Sequence, residues 1–515
     1  MTSSSKRAFA DDSLANKKAK VDSHKKKELI INAFLMGSAG NQTVGIWRHP
    51  DDRSAELYQS PKYWTELAQL LERGKFHSCF LADVLGPYDV YKGPGNTGPV
   101  AKAGSQWPIS DPSYFIPLMA SVTSNLAFGM TISTISEQPY HLARRLGTLD
   151  LITNGRVGWN IVTSYLDSAS KNLLNGEPLP GNIERYDRAE EYVDVVYKLF
   201  LGSWQDGAVK LDKKKGIFTD PNGLRKINHV GEHFKVPGPA ITQPSQQKLP
   251  VIIQAGTSAR GKELAARNAE IVFVSSLTPE AVKGSIADVK RIAKERYGRD
   301  ASKIKFIALI TVILGKTHEE AQNKYLEYKA KYSDEEGAKA MFSGWTGVDI
   351  DKFGDDEVLE NVDHIAIASA VKKWQTAYPR VKKWTKKAII EEIKVGGSGP
   401  LAIGTPSEVA DIIQEWVDIS DIDGFNFAYT VLPQSFEEIV DSLLPELRKR
   451  GLARHDYPEP TDKSKYLTFR EQLSGKRHLD PTHPAYGLGW TADETKQEYE
   501  ERLPQALESL KGQQA

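Results

Sequence analysis

Three observations predict an α/β chain closed into a (β/α)8 TIM barrel, with two long insertions at its carboxyl face and extended tails. Short runs rich in β-branched and aromatic residues recur eight times, each is followed by a stretch with helical spacing, and two connections are far longer than an ordinary βα loop. Strict alternation argues for a parallel sheet covered by helices. A count of eight favours closure over an open doubly wound sheet.

Taken in order along the 515 residues, the first 28 carry eight Lys or Arg among few apolar side chains. Burial cannot repay the entropy of ordering such a segment, so a disordered basic arm is expected. Its clusters Lys6-Arg7 and Lys17-Lys18-Ala19-Lys20 resemble a bipartite nuclear-import signal, a pattern that solvated tails also match. A barrel body is then expected from 29 to 451. Strands are predicted at Leu29 to Phe34, Ser78 to Asp83, Ala127 to Thr134, Val157 to Thr163, Pro250 to Ala255, Ile271 to Ser275, Ile304 to Ile313 and Gly424 to Tyr429. Helices are predicted at Pro61 to Arg73, His141 to Thr153, Tyr186 to Leu201, Arg260 to Asn268, Pro279 to Arg296, His318 to Lys331, Pro406 to Ser420 and Ser435 to Lys449. Tyr186, Ala189, Tyr192, Val193, Val196 and Phe200 show the i, i+3, i+7 spacing of a core-facing helix. The connections 164–249 and 314–423 leave from the carboxyl ends of strands, where added chain builds a pocket wall, a lid or a dimerisation appendage. Residues 452–515 form a Pro-rich, charged C-terminal extension that wraps the surface or a partner subunit.

Composition excludes several classes. Lys plus Arg and Asp plus Glu both total 67, so no chain-wide field exists to hold nucleic acid or anionic lipid. Apolar residues make up 40%, enough for a sizeable core. The single cysteine, Cys79, precludes an intramolecular disulfide and any multi-cysteine metal site. Without an apolar run of about 18 residues or a secretory leader, a soluble cytoplasmic protein without membrane or nucleic-acid partners is expected.

Two motifs mislead. Gly93-Pro94-Gly95-Asn96-Thr97-Gly98 spells G-x-G-x-x-G, but its prolines mark a loop rather than a strand-to-helix turn. His229 and His233 have metal-ligand spacing, yet Gly231 lies between them and no H-E-x-x-H pattern is present, so a surface turn is expected and no metal site. The informative segments sit where strands end. Gly256-Thr257-Ser258-Ala259-Arg260-Gly261 opens a helix with hydroxyls, flexible backbone and an arginine, which suits either a phosphate or a simple cap. Asp83 ends the second strand, Thr131, Ser133 and Thr134 the third, and Asn160, Thr163 and Ser164 the fourth. Phe34, Trp47, Phe80, Trp159, Phe425, Phe427 and Tyr429 are candidates to line an apolar bowl around a planar cofactor. No Ser-His-Asp set, Cys-His pair or paired-carboxylate pattern marks a nucleophile or a glycosidase.

The motifs GIWRHPDDRS (45–54), YWTELAQLLERGKF (63–76), FLADVLGPYDVY (80–91), GRVGWNIVTSYLDSA (155–169), ERYDRAEEYVDVVYKL (184–199), QAGTSARG (254–261) and DGFNFAY (423–429) resemble one group in sequence order. That group is the bacterial luciferase-like flavin-dependent monooxygenases of the nitrilotriacetate monooxygenase component A and dibenzothiophene-sulfone monooxygenase type. The resemblance implies a barrel that binds reduced FMN, with Asp83, Thr131, Asn160, Asn182 and Tyr186 contacting the cofactor and Thr257 and Ser258 holding its phosphate. It also implies a two-component monooxygenase. FMNH2 would come from a separate NAD(P)H-dependent flavin reductase, and one oxygen of O2 would pass through a flavin C4a-(hydro)peroxide to a small sulfur-, nitrogen- or carbonyl-containing substrate. A homodimer or homotetramer is implied too. Many relatives carry His where Asn41 and Asn182 stand, and Asn cannot take up a proton near neutral pH. Trp159, and His364 in the second insertion beside Trp345, are the candidates for direct roles in the reaction. The alternatives are a non-flavin barrel hydrolase using Asp83, Glu137 or Asp423, and a non-catalytic flavin-binding or scaffold protein.

Overall fold

The structure, a computed structural model, describes residues 27–256, 258–360, 365–378, 381–463 and 465–512. The two basic clusters of the arm lie outside the described residues. Eight parallel strands make a closed ring: β1 (Ile30–Met36), β2 (Ser78–Ala82), β3 (Ala127–Ser133), β4 (Val157–Val162), β5 (Val251–Gln254), β6 (Ile271–Val274), β7 (Lys305–Leu314) and β8 (Gly424–Ala428). The ring is closed by β1 against β8, in the register Ile30 to Gly424, and by β6 against β7, in the register Ile271 to Lys305. The four-residue strand Leu401–Gly404 also pairs with the far end of the long β7, outside the ring.

The covering helices include α1 (Pro61–Arg73), α2 (Phe115–Ser121), α3 (Pro139–Ile152), α4 (Asn182–Gly202), α5 (Ala259–Asn268), α6 (Pro279–Tyr297), α7 (Pro406–Ser420) and α8 (Leu444–Lys449). Their sequences explain their bounds. On α1 the buried Tyr63, Trp64, Leu67, Ala68 and Leu71 form one apolar stripe. Thr405 and Glu408 form a capping box that starts α7, with Pro406 in its first turn. Since α4 and α7 both cover the barrel from within the long connections, the chain added at each is shorter than the connection itself.

Strand alternation sorts the side chains. Ala33, Leu35, Cys79, Leu81, Trp159, Ile161, Phe425 and Phe427 join the core between sheet and helices. Phe425 packs edge-on against Trp416 of α7, with 6.2 Å between ring centroids. Inside the ring, Gly129 leaves room for the Phe80 ring, because a Cβ there would lie 2.9 Å from it.

Two further packing units matter for the site. Residues of the 84–107 loop and of the second long connection, among them Tyr88, Val100, Phe342, Trp374, Trp384 and Ile389, form a separate apolar core over the carboxyl face. At the opposite mouth, Phe469 of the C-terminal extension packs among Ile30, Ala127, Val251 and Ile271 at the amino ends of the strands. Arg470 beside it is fully buried and pairs with Glu270 at 2.6 Å while donating to the carbonyls of Gln247 and Leu249. The extension therefore wraps its own barrel. Among the described residues no helix is long and apolar enough to cross a membrane.

Candidate active site

Three adjoining cavities open at the carboxyl face. The first, about 790 Å³, is bounded by Asp83, Asp111, Thr131, Glu137 and Arg145. The second, about 290 Å³, shares Asp83, Thr131 and Ser133 with it and continues past Tyr165, Tyr186 and Gln254 to Gly256. The third, about 430 Å³, shares Val84 and Tyr165 with the second and is walled by Phe34, Met36, Leu309, Phe342, Trp345 and Trp374. The crevice formed by the first two thus leads into a cavity with aromatic walls, roofed by the second core.

The crevice has one charged and one anion-binding end. Burial, with Asp111 nearby, pushes the Asp83 carboxyl up to about 7. Burial likewise raises Glu137, although Arg145 lies 2.6 Å and His141 3.0 Å from its oxygens. At the other end Ser258 caps α5, its Oγ accepting the Gly261 N–H at 3.1 Å, which leaves the hydroxyl proton free to donate. The cap and phosphate roles are therefore compatible. Gly256 and Gly261 approach so closely that a Cβ on Gly256 would lie 2.7 Å from Gly261 Cα and 3.2 Å from the Tyr186 hydroxyl. Backbone N–H groups at a helix start, with no side chain in the way, form an anion cradle.

Arg260 does not complete that cradle, because it turns away to Asp187 and Glu190. Arg185 is the cation beside the crevice: its guanidinium donates to the Ser164 carbonyl, its Nε is buried without a partner, and burial lowers its pKa. Further in, Asn160 Nδ2 donates to Thr131 Oγ1, and the buried Asn160 Oδ1 and Gln254 Oε1 have no hydrogen-bond partner. Unpartnered acceptors inside, an anion cradle outside and an uncharged wall between them fit a flavin mononucleotide, whose ring offers N–H donors and whose tail ends in phosphate.

The structure lines the crevice with Asp83, Thr131 and Tyr186, joins Asn160 to Thr131 by a hydrogen bond, and leaves Ser258 as an exposed cap two residues beyond Gly256 at the rim. Asn182 starts α4 on an exposed turn and borders a separate groove with Glu232 and His233. Trp159 does not reach the crevice. It points outward from β4, its Nε1 donates to the Ile132 carbonyl, and its ring meets Tyr192 of α4. Of the seven aromatics proposed for the bowl, only Phe34 lines the third cavity, because strand parity turns Phe425 and Phe427 the other way. Thr257 and His364 lie outside the described residues. His229 is held by Glu191 and Lys198, each at 2.9 Å. Sequence reasoning missed Arg185, Gln254, Tyr88, Gln106 and Tyr165. Gln254 closes β5 and Tyr165 follows β4 closely, so attention to every polar strand end would have found those two.

The Bac_luciferase family model, described as luciferase-like monooxygenase, matches residues 43–421. The chain is 43% identical over 462 residues to a dimethyl-sulfide monooxygenase of Hyphomicrobium sulfonivorans, covering 89% of this chain and 93% of that one. It is 35% identical over 427 residues to nitrilotriacetate monooxygenase component A of Aminobacter aminovorans, covering 81% and 92%. The crystal structure of a riboflavin lyase with modified FMN and riboflavin superposes with a TM-score of 0.79 at 30% identity, covering 90% of this chain and all of that one.

Proposed function

The chain belongs to the luciferase-like monooxygenase family, and from that membership we propose that it is the oxygenase of a two-component system, using reduced FMN and O2 to oxidise a small organic substrate. The observation that carries the reading is the continuity of the two spaces: a crevice fitted to flavin opens directly into a second cavity with aromatic walls. Ser258, the Gly256–Gly261 backbone and Arg185 hold the phosphate, while Thr131, Asn160, Gln254 and Asp83 face the ring. Bound reduced FMN supplies the activation of O2 and the transferable oxygen atom.

The chain's own contribution is orientation and the exclusion of water. Phe342, Trp345 and Trp374 wall the cavity with aromatic surface, which suits a substrate with an apolar body and an oxidisable sulfur, nitrogen or carbonyl centre. The G-x-G-x-x-G stretch at 93–98 follows turns rather than a strand and ends on the first residue of the short helix Gly98–Ala103, which supports supply of FMNH2 by a separate NAD(P)H-dependent reductase.

The test is anaerobic titration with FMNH2, followed by admission of O2 in the presence of candidate sulfides, sulfones, amines and ketones. Binding at micromolar protein and O2 uptake that exceeds H2O2 release for at least one compound are expected. Failure to bind FMNH2 would overturn the reading.

A further inference from the structure

Four hydrogen bonds at the doorway between crevice and cavity admit one consistent placement of protons. The Asn41 carbonyl can only accept, and Gln106 Nε2 donates to it at 2.8 Å, so the Gln106 amide is oriented with Oε1 the other way. That oxygen can only accept, and the Tyr88 hydroxyl gives it its single proton at 3.0 Å. Trp345 Nε1 can only donate, and does so to the Tyr88 oxygen at 3.3 Å. The remaining contact, Tyr88 to Tyr165 at 2.9 Å, is open to either direction by geometry. With the Tyr88 proton already used, Tyr165 must be the donor there. A phenol is protonated near neutral pH, so Tyr165 keeps the proton it donates.

Tyr165 therefore ends the chain with lone pairs only. It is 48% exposed, and it lines both the crevice and the third cavity. Its oxygen accepts a hydrogen bond from a ligand in the doorway but has no proton to give one. Two-electron reduction puts a hydrogen on N5 in both the neutral and the anionic reduced ring, with a second on N1 in the neutral form, so N5 is a bare acceptor in oxidised FMN and a donor in reduced FMN.

We infer that Tyr165 is a positioning residue that selects the reduced cofactor, welcoming the N5–H donor of FMNH2 and disfavouring the N5 acceptor of FMN. The inference rests on the flavin reading above. Tyr88, Gln106 and the Asn41 carbonyl act through Tyr165 by fixing where its proton goes. Trp345, from the helix Glu335–Thr346 of the second connection, ties that arrangement to the roof of the cavity.

The experiment measures two affinities on the full-length protein, FMNH2 under anaerobic conditions and FMN in air, both by flavin fluorescence. Tyr165→Phe is expected to weaken FMNH2 about three- to tenfold, the worth of one hydrogen bond, and to leave FMN within about twofold. Tyr88→Phe keeps the Tyr165 oxygen but releases its proton. It is expected to strengthen FMN by a similar factor and so narrow the preference from the other side. A structural role alone would weaken both forms together in either variant, and that result, or an unchanged ratio in both, overturns the inference. Wild-type protein that binds neither form would instead overturn the flavin reading.

Discussion

Asn160 on β4 and Thr131 on β3 are register partners, and the amide of the first donates to the hydroxyl of the second at 3.0 Å. One ladder step thus fixes the amide's orientation and directs its unpartnered oxygen into the barrel. Replacing Asn160 by Leu should lower FMN affinity about three- to tenfold, since one acceptor for the ring is lost. Fluorescence titration measures this, and the thermal midpoint should fall modestly, because the buried Thr131 hydroxyl loses the donor that Asn160 supplied.

Ser258→Asp separates the two roles of the α5 cap. Aspartate caps a helix as well as serine does, so stability should hold. A carboxylate in the cradle should repel the phosphate and weaken FMN about tenfold or more. Riboflavin, which lacks the phosphate, should bind wild type and variant alike. Equal loss of both ligands would place the phosphate elsewhere.

Asp83 predicts a pH dependence. Its folded value near 7 lies above the ordinary carboxyl value of about 4, so between them the folded protein keeps a proton that the unfolded chain has released. Stability from this group therefore falls as pH rises through that window and levels off above 7. Asp83→Asn removes the ionisation. The variant's thermal midpoint relative to wild type should rise from pH 5 to pH 8, and a constant difference would assign the titration to another group.

Phe469→Ala should empty the plug at the amino mouth. The ring is fully buried, so truncation is expected to cost about 3–5 kcal/mol, read as a lower denaturant midpoint. Because the plug lies at the opposite mouth from the crevice, FMN affinity of the folded variant should be retained.

The barrel was legible in the chain because its strands are short β-branched or aromatic runs, several closed by a polar residue, and β2, β3 and β4 lie within a residue or two of where the pattern puts them. Leu401–Gly404 was not legible, because four residues carry too little pattern and their partner is the far end of β7. The site was readable where its residues end strands, as with Asp83 and Thr131. Parity was the weak point: a shift of one position separates Asn426 inside the ring from Phe425 and Phe427 outside it. Arg260 and Arg185 exchanged roles because carboxylates on α4, distant in sequence, claimed the first. The doorway network escaped because Tyr88, Gln106, Tyr165 and Trp345 meet only through tertiary packing.

Closure of β1 on β8 has a cost during synthesis. The partner of Ile30 is Gly424, and the plug at Phe469 follows later still. At about 5–20 residues per second, roughly 20–80 seconds separate the emergence of the two strands from the ribosome. For that interval both edges of a growing parallel sheet stand open, with apolar strands such as β1 and β2 unsealed. Expression yield should accordingly respond to co-translational chaperones and to slower growth temperature, and fragments ending before residue 424 should be recovered mainly as aggregates.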